Sequence, residues 1–107
     1  MVTYASLISY RQPLLAIIHF NNTALFIVYD EGQKHDKSGF GSGTYAVTGG
    51  RLPLILVSPF ANNGYVSPTE YTHYNLLSTV EKILDLENLG KGDVTAKPMI
   101  DLFRALS

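Results

Sequence analysis

Two continuous apolar runs dominate the hydrophobic pattern of the chain. The first covers residues 24–29 (ALFIVY) and ends in the polar turn Asp30-Glu31-Gly32. The second covers residues 52–57 (LPLILV) and ends in Ser58-Pro59. Neither run alternates between apolar and polar residues, and short apolar runs bounded by turn residues are typical of strands buried on both faces of a parallel sheet. The pattern therefore predicts two such strands.

A helical pattern follows the second run. Residues 71–86 repeat apolar side chains at helical spacing, which predicts a helix whose apolar stripe faces the core; the stripe consists of Leu76, Leu77, Val80, Ile83 and Leu84. Residues 67–70 (SPTE) have the spacing of a capping box with proline at the first helical position, and Thr72 is the alternative N-cap. Shorter helices are predicted over residues 13–20 and 99–106.

The segment between the two apolar runs has no helical stripe. Residues 34–50 contain five glycines and begin with mixed charges. Loops longer than about 12–15 residues are uncommon in compact domains and often form lids or binding loops. The order helix, strand, glycine loop, strand, helix, helix predicts an α/β fold.

Composition narrows the possible functions. The 107 residues are enough for one domain, and 46 % of them are hydrophobic, so the chain can form one modest core. The formal net charge of -1 gives no electrostatic support for nucleic-acid binding. The absence of cysteine excludes disulfides, thiolate catalysis and cysteine-based zinc sites. No run reaches the roughly 20 apolar residues that span a bilayer, and the N-terminus lacks the pattern of a signal peptide, so compartment is left open.

Asp30 and Glu31 are the first candidates for chemistry. They follow a predicted strand, and ligands of open α/β sheets bind at the carboxyl ends of strands. A hard divalent cation such as Mg²⁺, Mn²⁺ or Ca²⁺ suits oxygen ligands. Because successive strand residues point to opposite faces, one carboxylate would contact the cation and the other would support it. The alternative is a solvated acidic turn.

His73 is the second candidate. It lies in the first turn of the predicted helix and shares a face with Leu77 and Val80. A histidine at a helix start can bind phosphate or metal, and the alternative is a buried histidine hydrogen-bonded to the backbone. His35 and Asp36 fall in the charged start of the glycine loop, where a solvated loop is the better interpretation.

Four sequence blocks, taken in order, resemble one known family. They are residues 22–31 (NTALFIVYDE), residues 52–60 (LPLILVSPF), residues 64–67 with 72–81 (GYVS and THYNLLSTVE), and residues 96–103 (AKPMIDLF). Together they resemble the phosphoesterase family of bacterial acid phosphatases and phosphatidylcholine-type phospholipases C, in the alkaline phosphatase superfamily. The resemblance covers residues 20–104.

The resemblance implies a three-layer α/β/α fold with mainly parallel strands and a metal-assisted hydrolysis of phosphoric esters. It places a divalent metal ion, Mg, Mn, Ca or Zn, on Asp30 and Glu31, and places His73 beside the phosphate. It also identifies the chain as a single partial domain, the C-terminal portion of a phosphoesterase. Nothing before Asn22 resembles the family's nucleophile or its early metal ligands, so no catalytic nucleophile is identified.

Two functions from different classes follow from this resemblance. The first is a phosphoesterase-type hydrolase segment that acts on a phosphate ester. The second is a non-catalytic remnant or interaction module that retains the fold without turnover, because ancestry of a fold does not guarantee a working site. Strands that are apolar on both faces need neighbours, so we also expect self-association or dependence on the N-terminal half of such a domain.

Overall fold

The computed structural model describes residues 1–6, 22–33, 35–36, 38–39, 41 and 43–104. Its elements are strands β1 (Val2–Ser6), β2 (Leu25–Val28), β3 (Pro53–Val57) and β4 (Val66–Ser67), helix α1 (His73–Leu84), and 3₁₀ helices at Gly92–Val94 and Ile100–Leu102. Mixed α/β structure is therefore confirmed. The helix predicted over residues 13–20 lies outside the described residues.

The four strands form one sheet in the order β2-β3-β1-β4. β1 runs parallel to β3, with Val2 opposite Pro53 and Ser6 opposite Val57. β2 is antiparallel to β3, with Leu25 opposite Val57, and β4 is antiparallel to β1. β3 therefore lies between two described strands and is paired along its whole length.

The prediction that the two apolar runs form parallel strands was wrong for their mutual pairing. β2 and β3 are antiparallel neighbours. Parallel neighbours need a crossover that returns the chain to the same end of the sheet, usually through a helix. No helix is seen in the described residues between β2 and β3, and the chain re-enters the sheet from the end at which it left.

Burial differs between the same two strands. Leu54, Leu56 and Val57 of β3 are fully buried, whereas Ile27 of β2 is 45 % exposed. β2 has β3 on one side and no further described strand on the other. The expectation of burial on both faces therefore describes β3 better than β2.

The core forms where β3 meets the C-terminal segment. Its buried members come from four parts of the chain, which explains why no single run predicts it; they are Leu54, Leu56, Ala61, Tyr71, Met99 and Leu102. The ring of Phe26 packs edge-on against Phe103 at a centroid distance of 6.4 Å. The backbone of Asn62 also donates to the carbonyl of Leu102 at 2.7 Å.

Thr72, the alternative N-cap, begins α1. Its hydroxyl accepts from the backbone of Tyr74, and the Asn75 side chain accepts from the backbone of Thr72, which completes a capping box. Ser67 instead ends β4. The helix ends at Asp85, which has a left-handed backbone with φ of 53°.

The predicted core-facing stripe of α1 is seen only in part. Leu76 packs against the core, and Leu77 and Val80 are half-buried. Ile83 and Leu84 are 39 % and 60 % exposed, while Ser78, Thr79 and Glu81 are buried. The reason is the path of the chain after the helix, which folds back over this polar face. Thr79 Oγ1 donates to the carbonyl of Asn75 and accepts from the backbone of Met99 at 2.8 Å.

The last predicted helix, over residues 99–106, is shorter in the structure. It is a 3₁₀ helix at Ile100–Leu102, and residues 105–107 lie outside the described part of the chain. Among the described residues, no helix has the length and apolar character needed to cross a bilayer.

Candidate functional site

A cleft of about 490 Å³ opens beside the end of β2. One wall is the glycine loop with Arg51, and the opposite wall is the segment that joins β4 to α1. Described residues of the glycine loop therefore line this cleft. Its polar and charged lining residues are Asp30, Ser38, Arg51, Ser67, Thr69, Glu70, Tyr71, Thr72 and His73.

Asp30 and His73 meet at this cleft although they are 43 positions apart in sequence. The Nε2 atom of His73 lies 3.0 Å from the backbone carbonyl oxygen of Asp30. Because a carbonyl can only accept, this contact requires the His73 proton on Nε2 and leaves Nδ1 with its lone pair in the neutral ring. Of the alternative stated above, a buried histidine hydrogen-bonded to the backbone, the structure shows the backbone bond but not the burial, since His73 is exposed.

The two neighbouring carboxylates have different surroundings. Asp30 Oδ1 accepts from the backbone of Glu31 at 2.9 Å, and Asp30 lines the cleft. Glu31 is exposed and is not among the residues that line it. The structure thus brings Asp30 and His73 together and leaves Glu31 at the margin.

Asp36 fixes the position of Arg51. Its two carboxylate oxygens accept from the backbones of Arg51 and Ser38, each at 2.9 Å. The bond from Arg51, with those from Ser38, lowers the pKa of Asp36 to about 2. Gly50 has φ of 83°, and a side chain there would collide with the Asp36 carbonyl at 2.6 Å. Asp36 thus lies in a loop, as the sequence predicts, and its half-buried side chain binds the backbone of that loop.

A second carboxylate, Asp101, holds the opposite wall. It accepts from the hydroxyls of Tyr65 at 2.9 Å, Ser67 at 2.7 Å and Tyr71 at 2.5 Å. Burial opposes ionisation of Asp101, but these donors outweigh it and hold its pKa below the ordinary value. Burial, with the bond to Asp101, raises the pKa of Tyr71 to about 12. This network anchors both ends of the segment that leads into His73.

A buried acidic pair lies towards the other end of α1. Glu81 and Asp93 are 7 % and 3 % exposed. Asp93 accepts from the backbones of Leu89 and Lys91, which together outweigh its burial and keep its pKa low. Burial, followed by the contact with Asp93, raises the pKa of Glu81, whose Oε1 has no hydrogen-bond partner.

Asp30 and Glu70 are the acidic residues among the described lining of the cleft. The Asp30 carboxylate is exposed and retains acceptor capacity beyond its one bond to the Glu31 backbone. Within the described ranges, no group of three or more histidine or acidic side chains is placed to hold a metal ion.

The chain matches the Phosphoesterase family over residues 7–87, more than half of its length. It belongs to the Phosphoesterase family. The match includes Asp30, Glu31 and His73 and confirms the resemblance, although residues 96–103 lie beyond it. Searches of the curated proteins and of the solved structures found no match.

Arg51 and Asp101 contribute to the cleft but are not identified as site residues by the sequence pattern. Arg51 immediately precedes an apolar run, so its only signal in the sequence is a charged side chain next to a predicted strand. Asp101 carries no local signal, since its partners lie 30, 34 and 36 positions away. Only the folded chain shows that one carboxylate accepts hydrogen bonds from all three hydroxyls.

Proposed function

We propose that this phosphoesterase chain acts on phosphoric esters at the cleft formed by Asp30, Arg51 and His73. The observation that carries the proposal is the meeting of Asp30 with His73 in a cleft that Arg51 also lines. An arginine is a bidentate partner for phosphate oxygens, and His73 lies at the positive end of α1. An anionic ligand with room for a cation beside Asp30 therefore suits this cleft.

A divalent cation is part of the proposal. Asp30 would hold it directly, and Glu31 is the adjacent carboxylate that would support it. When bound, such a cation polarises phosphoryl oxygens. Arg51 would orient the phosphate, and the Asp30 carbonyl would keep the His73 ring turned so that Nδ1 is available to the ligand.

The finer assignments belong to the same proposal. Acid phosphatase-like and phospholipase C-like activities are both consistent with a cleft of about 490 Å³. We further propose that the described sheet is part of a three-layer α/β/α arrangement with further parallel strands. The parallel pairing of β1 with β3 supports this arrangement.

Hydrolysis of p-nitrophenyl phosphate and bis-p-nitrophenyl phosphate by the purified chain tests the proposal. We expect turnover that requires Mg²⁺, Mn²⁺, Ca²⁺ or Zn²⁺ and stops on chelation. Asp30→Asn should lower it about 100-fold or more, and His73→Ala about 10- to 100-fold, since each removes a group at the reacting phosphate.

Asp85→Asn is the matched control. It makes the same chemical change at an exposed helix C-cap, where asparagine tolerates the left-handed backbone. The control should retain full turnover. Metal-independent turnover, or equal loss in Asp30→Asn and Asp85→Asn, would contradict the assignment.

A second candidate is a module that binds phosphate esters without turnover. It is favoured by the state of three of the five hydroxyl side chains that line the cleft in the described residues. Those of Ser67 and Tyr71 donate to Asp101, and that of Thr72 caps α1. Saturable binding of inorganic phosphate, lost in His73→Ala and accompanied by no hydrolysis, would favour this candidate over the enzyme.

A further inference from the structure

A second, more apolar groove adjoins the cleft. Its volume is about 770 Å³. Its aromatic and aliphatic walls come from the glycine loop, the start of α1 with the residues just before it, and the segment that leads into the last 3₁₀ helix; they are Tyr45, Val47, Tyr71, Tyr74, Ala96, Pro98 and Ile100. Ligand sites are commonly lined in this way, by apolar and aromatic side chains with a few polar groups.

The groove and the cleft share a wall. Val47 and residues 69–72 line both of them. His73 lines the cleft and Tyr74 lines the groove. Because His73 and Tyr74 are consecutive residues, whose Cα atoms are about 3.8 Å apart, the two cavities are immediate neighbours.

Two tyrosine rings pack against each other in the groove and form an aromatic surface. The rings of Tyr45 and Tyr74 lie edge-to-face, with centroids 5.6 Å apart and an interplanar angle of 81°. Tyr45 remains 43 % exposed. The Tyr74 ring rests on Gly92, where a side chain would meet a ring carbon at 2.6 Å. Tyr74 is therefore held in place, and ring surface of Tyr45 is left for a ligand.

The charges around the groove select among aromatic ligands. Lys82 and Lys97 line it, against a single acidic residue, Glu70. Tyrosine faces attract cations, but two lysines nearby oppose a cationic group such as a quaternary ammonium. A neutral or anionic aromatic group fits the groove better.

We propose that this groove is the subsite for the alcohol portion of the substrate, and that this portion is a neutral or anionic aromatic or heteroaromatic group. The inference rests on the proposed function, since the phosphate of the same ester would occupy the neighbouring cleft. The chain would then prefer aryl-type phosphate esters to small alkyl ones.

Binding of two phosphate monoesters with the same reactive group tests this inference without requiring turnover. Phenyl phosphate and methyl phosphate would be titrated into the full chain by NMR, with Mg²⁺ present. Phenyl phosphate should bind about two- to tenfold tighter, the range expected for one aromatic contact. Tyr74→Leu and Tyr45→Leu should each reduce this ratio towards one and leave methyl phosphate binding unchanged.

Tyr29→Leu is the matched control, because Tyr29 is 62 % exposed and lines neither site. It should preserve the ratio, and His73→Ala should weaken both esters equally. A ratio of one in the native chain, or an unchanged ratio in both Tyr74→Leu and Tyr45→Leu, would overturn the inference while leaving the proposed function standing.

The two proposals can also fail in the opposite order. If neither ester binds but phenol binds in a Tyr74-dependent manner, the phosphate cleft is wrong and the aromatic groove stands as a site. If none of the three compounds binds to the folded chain, both proposals are overturned.

Discussion

Two acidic pairs lie near opposite ends of α1 and differ in almost every physical respect. Asp30 and Glu31 are adjacent in sequence, exposed, and beside His73 at the start of the helix. Glu81 and Asp93 are brought together by the fold and are almost completely buried. Only the first pair carries a signal in the sequence, because adjacency after a strand is visible there.

The two pairs also differ in the groups that surround their carboxylates, and this difference indicates different roles. In the buried pair, burial and the neighbouring Asp93 raise the pKa of Glu81, and two backbone N–H groups donate to Asp93, which holds the turn after α1 in place. The exposed pair has one internal donor and retains acceptor capacity for a ligand. Burial thus favours a structural role for the second pair, whereas Asp30 of the first pair is exposed where it lines the cleft.

The largest expected effect compares Asp93→Asn with its matched change Asp30→Asn. Asp93→Asn removes a charge that accepts from two backbones and should lower Tm by about 5 °C or more. Asp30→Asn changes an exposed carboxylate and should lower Tm by no more than about 2 °C without added metal. Thermal unfolding followed by circular dichroism measures both, and equal shifts would remove the distinction between the pairs.

A smaller effect concerns the pH dependence of the buried pair. The raised pKa of Glu81 means that its contribution to folding is complete below the ordinary value of 4.5 and is lost as pH rises through the folded-state pKa. Glu81→Gln keeps this position neutral at every pH. The variant should therefore gain stability relative to the native chain as pH increases from 4.5.

Urea unfolding midpoints between pH 4.5 and 8 measure this trend, and Glu87→Gln provides the control at an exposed glutamate in the following turn. The Glu87→Gln difference should stay constant with pH. The same constancy in Glu81→Gln would show that Glu81 is already ionised in the folded chain.

The smallest expected effect appears only at acid pH and concerns Asp36, whose pKa is lowered by hydrogen bonds from the backbone. The pKa of Asp36 is about 2, so its contribution is present above the ordinary value of 3.8 and is lost as pH falls through 2. Asp36→Asn should be less stable than the native chain at pH 5 and nearly equal to it at pH 2. A pH-independent difference in unfolding midpoint would exclude ionisation of Asp36 as the source.

The fold was predictable where the pattern is local. The apolar runs identified β2 and β3, and the helical repeat identified α1 to within a turn. β1 was missed, because Val2–Ser6 is a short strand with no flanking turn signal. The pairing direction of β2 and β3 was missed as well. The amino acids of the two apolar runs do not show at which end of the sheet the intervening loop brings the chain back.

The candidate site was predictable to the same extent. Asp30, Glu31 and His73 each stand at the end or start of an element, and the family match includes all three. Glu31 illustrates the limit, because its neighbour lines the cleft and it does not. Its role as a metal-supporting carboxylate stays a prediction that the hydrolysis experiment tests.

The sequence by itself determined the family, two of the strands and the helix, and it identified the candidate site residues. Each of these depends on spacing over a few positions. The tertiary structure alone decided which face of α1 is buried, from which hydroxyls Asp101 accepts hydrogen bonds, and that Tyr45 and Tyr74 share a groove. These features depend on the path of the chain between distant residues. That path is fixed by the free energy of the whole fold, and no single segment encodes it.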